Sequence, residues 1–110
     1  MKVAVIGSRT IQAVPLEDYL PPETTELVSG GARGVDQCAE AYAAAHQLRL
    51  TVFRPDYARY RKGAPLRRNR MIVDYSDLVL AFWDGHSPGT HHVIEYCRLS
   101  GKTVRVILAP

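Results

Sequence analysis

The chain has little cysteine, few large aromatics and no long apolar run. Its two cysteines, Cys38 and Cys97, stand far apart in sequence and form no close pair of the metal-binding or redox type. Both read as interior free thiols, and a disulfide-stapled scaffold is not expected. No apolar run approaches the roughly 20 residues needed to span a bilayer. The longest, Val3-Ala4-Val5-Ile6 and Leu78-Val79-Leu80-Ala81-Phe82-Trp83, have the length of buried strands. A membrane is therefore not an expected partner. The first strand starts directly after Met1-Lys2, with no apolar leader before it, so a cytoplasmic location is the default expectation. The strict dinucleotide fingerprint and the triphosphate loop ending in Gly-Lys-Ser/Thr are also missing, which argues against a conventional dehydrogenase or a GTPase.

What remains is globular. The chain has 110 residues, of which 46% are hydrophobic and 23% charged, which suits one core and one domain over residues 1–110. The net charge of +3 is uneven, because Arg59, Arg61, Lys62, Arg67, Arg68 and Arg70 crowd one stretch. Such a stretch is a solvated helix face, a phosphate-facing patch or a contact between subunits. Self-association into a homo-oligomer is expected of a small sheet domain with extra apolar helix surface.

Apolar strands alternate with helical patterns. Lys2 to Ile6, Glu26 to Ser29, Arg49 to Arg54, Asp77 to Trp83 and Thr103 to Leu108 read as strands. Val35, Cys38, Ala39, Tyr42 and Ala45 recur at three- and four-residue steps, so a helix is predicted from about Val35 to His46. Pro15 and Pro21-Pro22 limit the first connection to a short helix or loop, and Asp56 to Gly63 reads as a polar loop. Leu66 to Tyr75 is predicted helical after Pro65, and a last helix is predicted between a Thr90 cap and Ser100-Gly101. The fold class is α/β: a Rossmann-like three-layer domain with a mainly parallel five-stranded sheet.

In such a sheet ligands bind outside the carboxyl ends of the strands, where strand order reverses. Three polar or glycine-rich turns fall there: Gly7-Ser8-Arg9, Gly30-Gly31-Ala32-Arg33-Gly34, and Asp84 through Thr90, which includes Gly85, Ser87 and Gly89. Glycine lets a backbone approach a phosphate, and free amides at a helix start face the anion. Arg9 and Arg33 add forked, charged donors. Asp36 is either a cap for its helix or a partner for a ligand hydroxyl. Tyr57 and Trp83 are either packing residues or platforms for a base. His86, His91 and His92 do not suit one metal ion, since adjacent helical residues diverge by about 100 degrees.

Gly7-Ser8-Arg9, the run Ser29 to Asp36, Arg68-Asn69-Arg70-Met71-Ile72 and Trp83 to Thr90 together resemble the SLOG superfamily, related to Smf/DprA and Lonely-guy proteins, and in particular its small YspA/YpsA-related branch. The resemblance spans nearly the whole chain. It implies a domain that binds or senses a nucleotide or nucleotide-derived phosphate ligand, with the glycine turns near phosphate. It also makes Arg68 and Asn69 candidate ligand residues. No bound cofactor is expected.

Two other functions stay open. Lonely-guy enzymes hydrolyse nucleoside monophosphates between base and ribose, and their motif places a glutamate on the helix just after Gly-Thr. Here Gly89-Thr90 is followed by His91-His92-Val93-Ile94 before Glu95, whose helical angle points it elsewhere. Asp84 or Asp36 would have to take over. The basic stretch with Tyr57 and Tyr60 offers a loose version of a single-strand nucleic-acid platform and ranks below a small nucleotide.

Overall fold

The computed structural model describes residues 1–108. Five strands, β1 (Lys2–Gly7), β2 (Glu26–Ser29), β3 (Arg49–Val52), β4 (Leu78–Trp83) and β5 (Val104–Leu108), form one sheet in the order β3-β2-β1-β4-β5. Every neighbouring pair is parallel. The helices are α1 (Val35–Ala45), the single turn α2 (Tyr57–Tyr60), α3 (Ala64–Tyr75) and α4 (Pro88–Ser100). Short 3-10 turns occupy Leu16–Asp18 and Arg61–Gly63. The chain is thus an α/β Rossmann-like unit.

The strand periodicity explains the layers. Along β1, Val3 and Val5 join Leu27, Leu80 and Phe82 in a core covered by Val35, Ala39 and Ala43 of α1. The alternate residues Ala4 and Ile6 join Val28 and Val79 in a second core under Ile72 and Val73 of α3 and Val93 and Cys97 of α4. Both faces of the central strands are therefore dry, which is why their sequences are continuously apolar. Each fully buried Val or Leu contributes about 1.5–3 kcal/mol of transfer free energy. The edge strand β5 differs: Val106 and Leu108 stay exposed.

Gly7 sets the distance between α1 and the end of β1. A Cβ there would stand 2.3, 2.4 and 2.9 Å from the Cγ2, Cβ and Cγ1 atoms of Val35. Val35 is the first residue of α1 and is buried. Only a residue without a side chain lets the helix start abut the strand end.

Some expected details change. The reading of 56–63 as loop gives way to α2, because the Asp56 carboxylate accepts the Arg59 amide at 3.1 Å and caps one turn. Strand β3 ends at Val52, two residues before the expected Arg54. Helix α4 starts at Pro88 rather than after Thr90, which is its third residue and buried, so Thr90 is not its cap. Pro88 suits the first helical position, where an amide would have no partner. Cys97 is buried as expected, whereas Cys38 is half-buried and both are free thiols. No helix among the described residues is long and apolar enough to cross a membrane.

Candidate functional site

A cleft of about 400 Å³ opens at the carboxyl ends of the strands, within the usual range of small-molecule sites. It lies between β1 and β4, the neighbours from which the chain winds outward in opposite directions. One wall is Gly7, Ser8, Arg9 and Thr10 after β1, together with Ser87, Pro88, Gly89 and Thr90 at the start of α4. The other is Gly30, Ala32 and Asp36 after β2, and α3 adds Pro65, Arg68, Asn69 and Ile72.

The first wall is stitched by side chains. The buried Ser8 hydroxyl accepts the Asp84 amide at 3.2 Å and lies 3.4 Å from the Thr90 hydroxyl. Asp84 Oδ2 accepts the Thr10 hydroxyl at 2.7 Å, while its Oδ1 accepts the amides of His86 and Ser87, each at 2.8 Å, and the Ser87 hydroxyl at 3.1 Å. The Thr10 hydroxyl and these donors hold the Asp84 carboxyl well below the usual range. Asp84 thus ties the β1 loop to the β4 loop; neither it nor the exposed Gly85 lines the cleft. The amides of Gly89 and Thr90, second and third in α4, have no acceptor within a helix.

The second wall pairs a carboxylate with a guanidinium. Asp36 does not cap α1 through the early amides of that helix; its Oδ2 reaches back to the Ala32 amide at 2.9 Å. Burial pushes its pKa up, opposed by the Ala32 amide, the attraction of Arg68 and the Gly30 amide. Arg68 is half-buried; it donates from Nη1 to the Gly30 carbonyl at 2.6 Å and from Nε to Asn69 Oδ1 at 2.8 Å. Burial lowers the Arg68 pKa, Asp36 raises it, and the like charge of Arg9 adds a small further lowering. Neither Arg9 nor Arg68 forms an ion pair among the described residues. A Cβ at Gly30 would fall 2.7 Å from Arg68 Nη1 and 3.2 Å from Asp36 Oδ2. Glycine at this position leaves both groups room to face the cleft.

The structure therefore gathers Gly7, Ser8, Arg9, Gly30, Ala32, Asp36, Arg68, Asn69, Ser87, Gly89 and Thr90. It separates Arg33 and Gly34, which line an adjoining groove with Gln12 and Gln37; Arg9 and Ala32 border both. Gly31 faces Arg54 instead. Sequence reasoning missed Pro65 and Ile72, although with Arg68 and Asn69 they complete the i, i+3, i+4, i+7 stripe of one helix face. Thr10, Ile6 and Pro88 carried no comparable signal.

Other candidates sit elsewhere. Glu95 lies 3.5 Å from Arg98 and 3.9 Å from His91 and does not line the cleft. Trp83 donates from Nε1 to the Ser87 carbonyl at 3.1 Å and stacks on His91. Tyr57 is 59% exposed and so is not a core residue. His46 stacks on Tyr42 at the end of α1. Among the described residues no three His, Cys, Asp or Glu side chains come together as a metal site.

The model of the YspA, cpYpsA-related SLOG family matches residues 1–60. That stretch carries β1, β2, α1, β3 and α2, with the two glycine turns that contribute to both walls of the cleft. No curated protein and no solved structure matches. With more than half of its residues under that match, the chain belongs to the YspA, cpYpsA-related SLOG family.

Proposed function

We propose that the cleft binds a nucleotide or nucleotide-derived phosphate ligand and that the domain acts by holding it, as a sensor does. One observation carries this reading: Arg9 and Arg68, without ion-pair partners among the described residues, border the same cleft as the unsatisfied amides of Gly89 and Thr90. Cations and a helix start together favour an anion. The apolar part of the lining, with Ile6, Pro65 and Ile72, suits the rest of a nucleotide.

Holding is favoured over cleavage by the carboxylates. Glu95 is engaged outside the cleft and Asp84 is taken up by Thr10 and its own loop, which leaves Asp36 as the carboxylate on the lining. The reading is tested by thermal unfolding with nucleosides, nucleoside monophosphates, cyclic nucleotides, ADP-ribose and short single-stranded DNA. At 100 times its dissociation constant a ligand adds about 2.7 kcal/mol, a shift of many degrees for a domain this small. The phosphorylated members should raise the midpoint and the bare nucleosides should not. A shift with DNA alone, or with none of the panel, would refute the proposal, and release of free base from a bound nucleotide would replace sensing with hydrolysis.

A further inference from the structure

Asp36 has acceptor capacity that the fold does not use. The residue is 8% exposed; the Ala32 amide donates to Oδ2 at 2.9 Å, and the Gly30 amide lies near enough to favour the carboxylate as well. The Arg68 guanidinium attracts the carboxylate but lies beyond ion-pair distance, held by the Gly30 carbonyl and Asn69. A carboxylate in the wall of a cleft, with spare acceptor capacity and no pairing cation, is built to receive a donor from a ligand.

The identity of that donor follows from charge and position. Asp36 cannot face a phosphate, because like charges repel in a partly desolvated site. It stands in the first turn of α1 directly after the glycine turn, on the cleft lining and nearly closed off from bulk solvent. In a nucleotide the group next to the phosphate is the sugar, and the sugar presents hydroxyl donors. Resting on the nucleotide reading above, we propose that Asp36 recognises a ribose hydroxyl, so that the site selects ribonucleotides over deoxyribonucleotides. Gly30 belongs to the same device, since a side chain there would crowd both Asp36 and the Arg68 that flanks it.

Calorimetry with the four ribonucleoside 5′-monophosphates and their 2′-deoxy and 3′-deoxy counterparts tests this directly. Losing a hydrogen bond to a charged, buried acceptor should weaken the best ribonucleotide by roughly 10- to 100-fold in at least one deoxy form. Asp36→Asn keeps a carbonyl oxygen for the Ala32 amide while removing the charge, and should compress that ratio to a few-fold while the deoxy form binds about as before. The wild-type comparison stands even if the variant fails to fold. Equal affinity for ribo and deoxy forms overturns the sugar assignment and leaves the nucleotide reading intact. So does discrimination that follows an exocyclic base amine, as between adenosine and inosine monophosphates. No binding by any of these probes overturns both.

Discussion

Gly7→Ala adds one methyl group where the structure has no room for it, and the contacts say how much it should cost. The new carbon would meet three carbons of Val35 at 2.3, 2.4 and 2.9 Å, all well inside van der Waals contact. Val35 cannot swing away, because a β-branched residue at the head of a helix has few rotamers and this one is buried. Either α1 lifts from the sheet or the strand end bends, and overpacking of this kind costs about 1–3 kcal/mol. At roughly 4–8 °C per kcal/mol, the melting midpoint should fall by about 4–24 °C. Val35→Ala should relieve only part of the strain, since its own Cβ is the atom at 2.4 Å. The matched control is Gly89→Ala, where the added carbon meets nothing within 4 Å inside α4. That change should be neutral or stabilising by up to about 1 kcal/mol. Circular dichroism during thermal and urea unfolding measures both variants. Equal stability of Gly7→Ala and the parent would refute the packing argument, and with it the claim that this glycine sets the cleft wall.

Arg68→Ala should weaken a bound nucleoside monophosphate by roughly 10- to 100-fold by calorimetry, whereas Arg33→Ala, on the exposed adjoining groove, should cost at most about fivefold. A larger loss at Arg33 would move the anion site to that groove. Acid should destabilise the fold: Tyr75 and Thr51 hydrogen bonds depress the Glu26 pKa, the Lys2 amide depresses that of Asp77, and Thr10 and its loop depress that of Asp84. Each such carboxylate stabilises the native state fully above its unfolded pKa near 4, and that contribution is lost as pH falls through the lower native value. Asp36, with its raised pKa, acts in the opposite sense but alone. Urea midpoints should therefore drop progressively as pH falls below about 4.5, and a flat profile would contradict the hydrogen bonds named. Burial raises the Cys97 thiol to about 11, so it should resist alkylation at neutral pH until the chain unfolds. Rapid native-state labelling of Cys97, read by mass spectrometry, would contradict its burial.

Much of the fold is legible locally. The alternation inside β1 and the unbroken apolar run of β4 announce strands covered on both faces, and Gly101 in the left-handed region ends α4 where the glycine implied it would. Less legible are the parts that depend on a single cap or a proline. The one-turn α2 owes its existence to Asp56, and Pro88 starts α4 two residues before Thr90, which turns a supposed cap into a buried wall of the cleft. Of the candidate residues, those at the turns nearest the β1–β4 crevice converge, while Arg33 and Gly34 sit one step outside it. A loop only five residues long contributes to two neighbouring surfaces, and no spacing rule says which side chain enters which.

The sequence by itself determined the layered α/β architecture, the end of the sheet where the glycine-rich turns gather, and the family, because these rest on periodicity and ordered motifs that local chemistry enforces. Only the tertiary structure decided the roles of the acids and arginines. Asp84, Asp36 and Glu95 are equally good carboxylates in a sequence, but Asp84 is consumed by the distant Thr10 together with His86 and Ser87 of its own turn, Asp36 is placed on the cleft lining beside Arg68, and Glu95 is seated away from the cleft by Arg98 and His91. Which carboxylate and which guanidinium share the cleft is set by how the ends of β1 and β2 pack against α1, α3 and α4, segments distant in sequence that only the tertiary fold brings together.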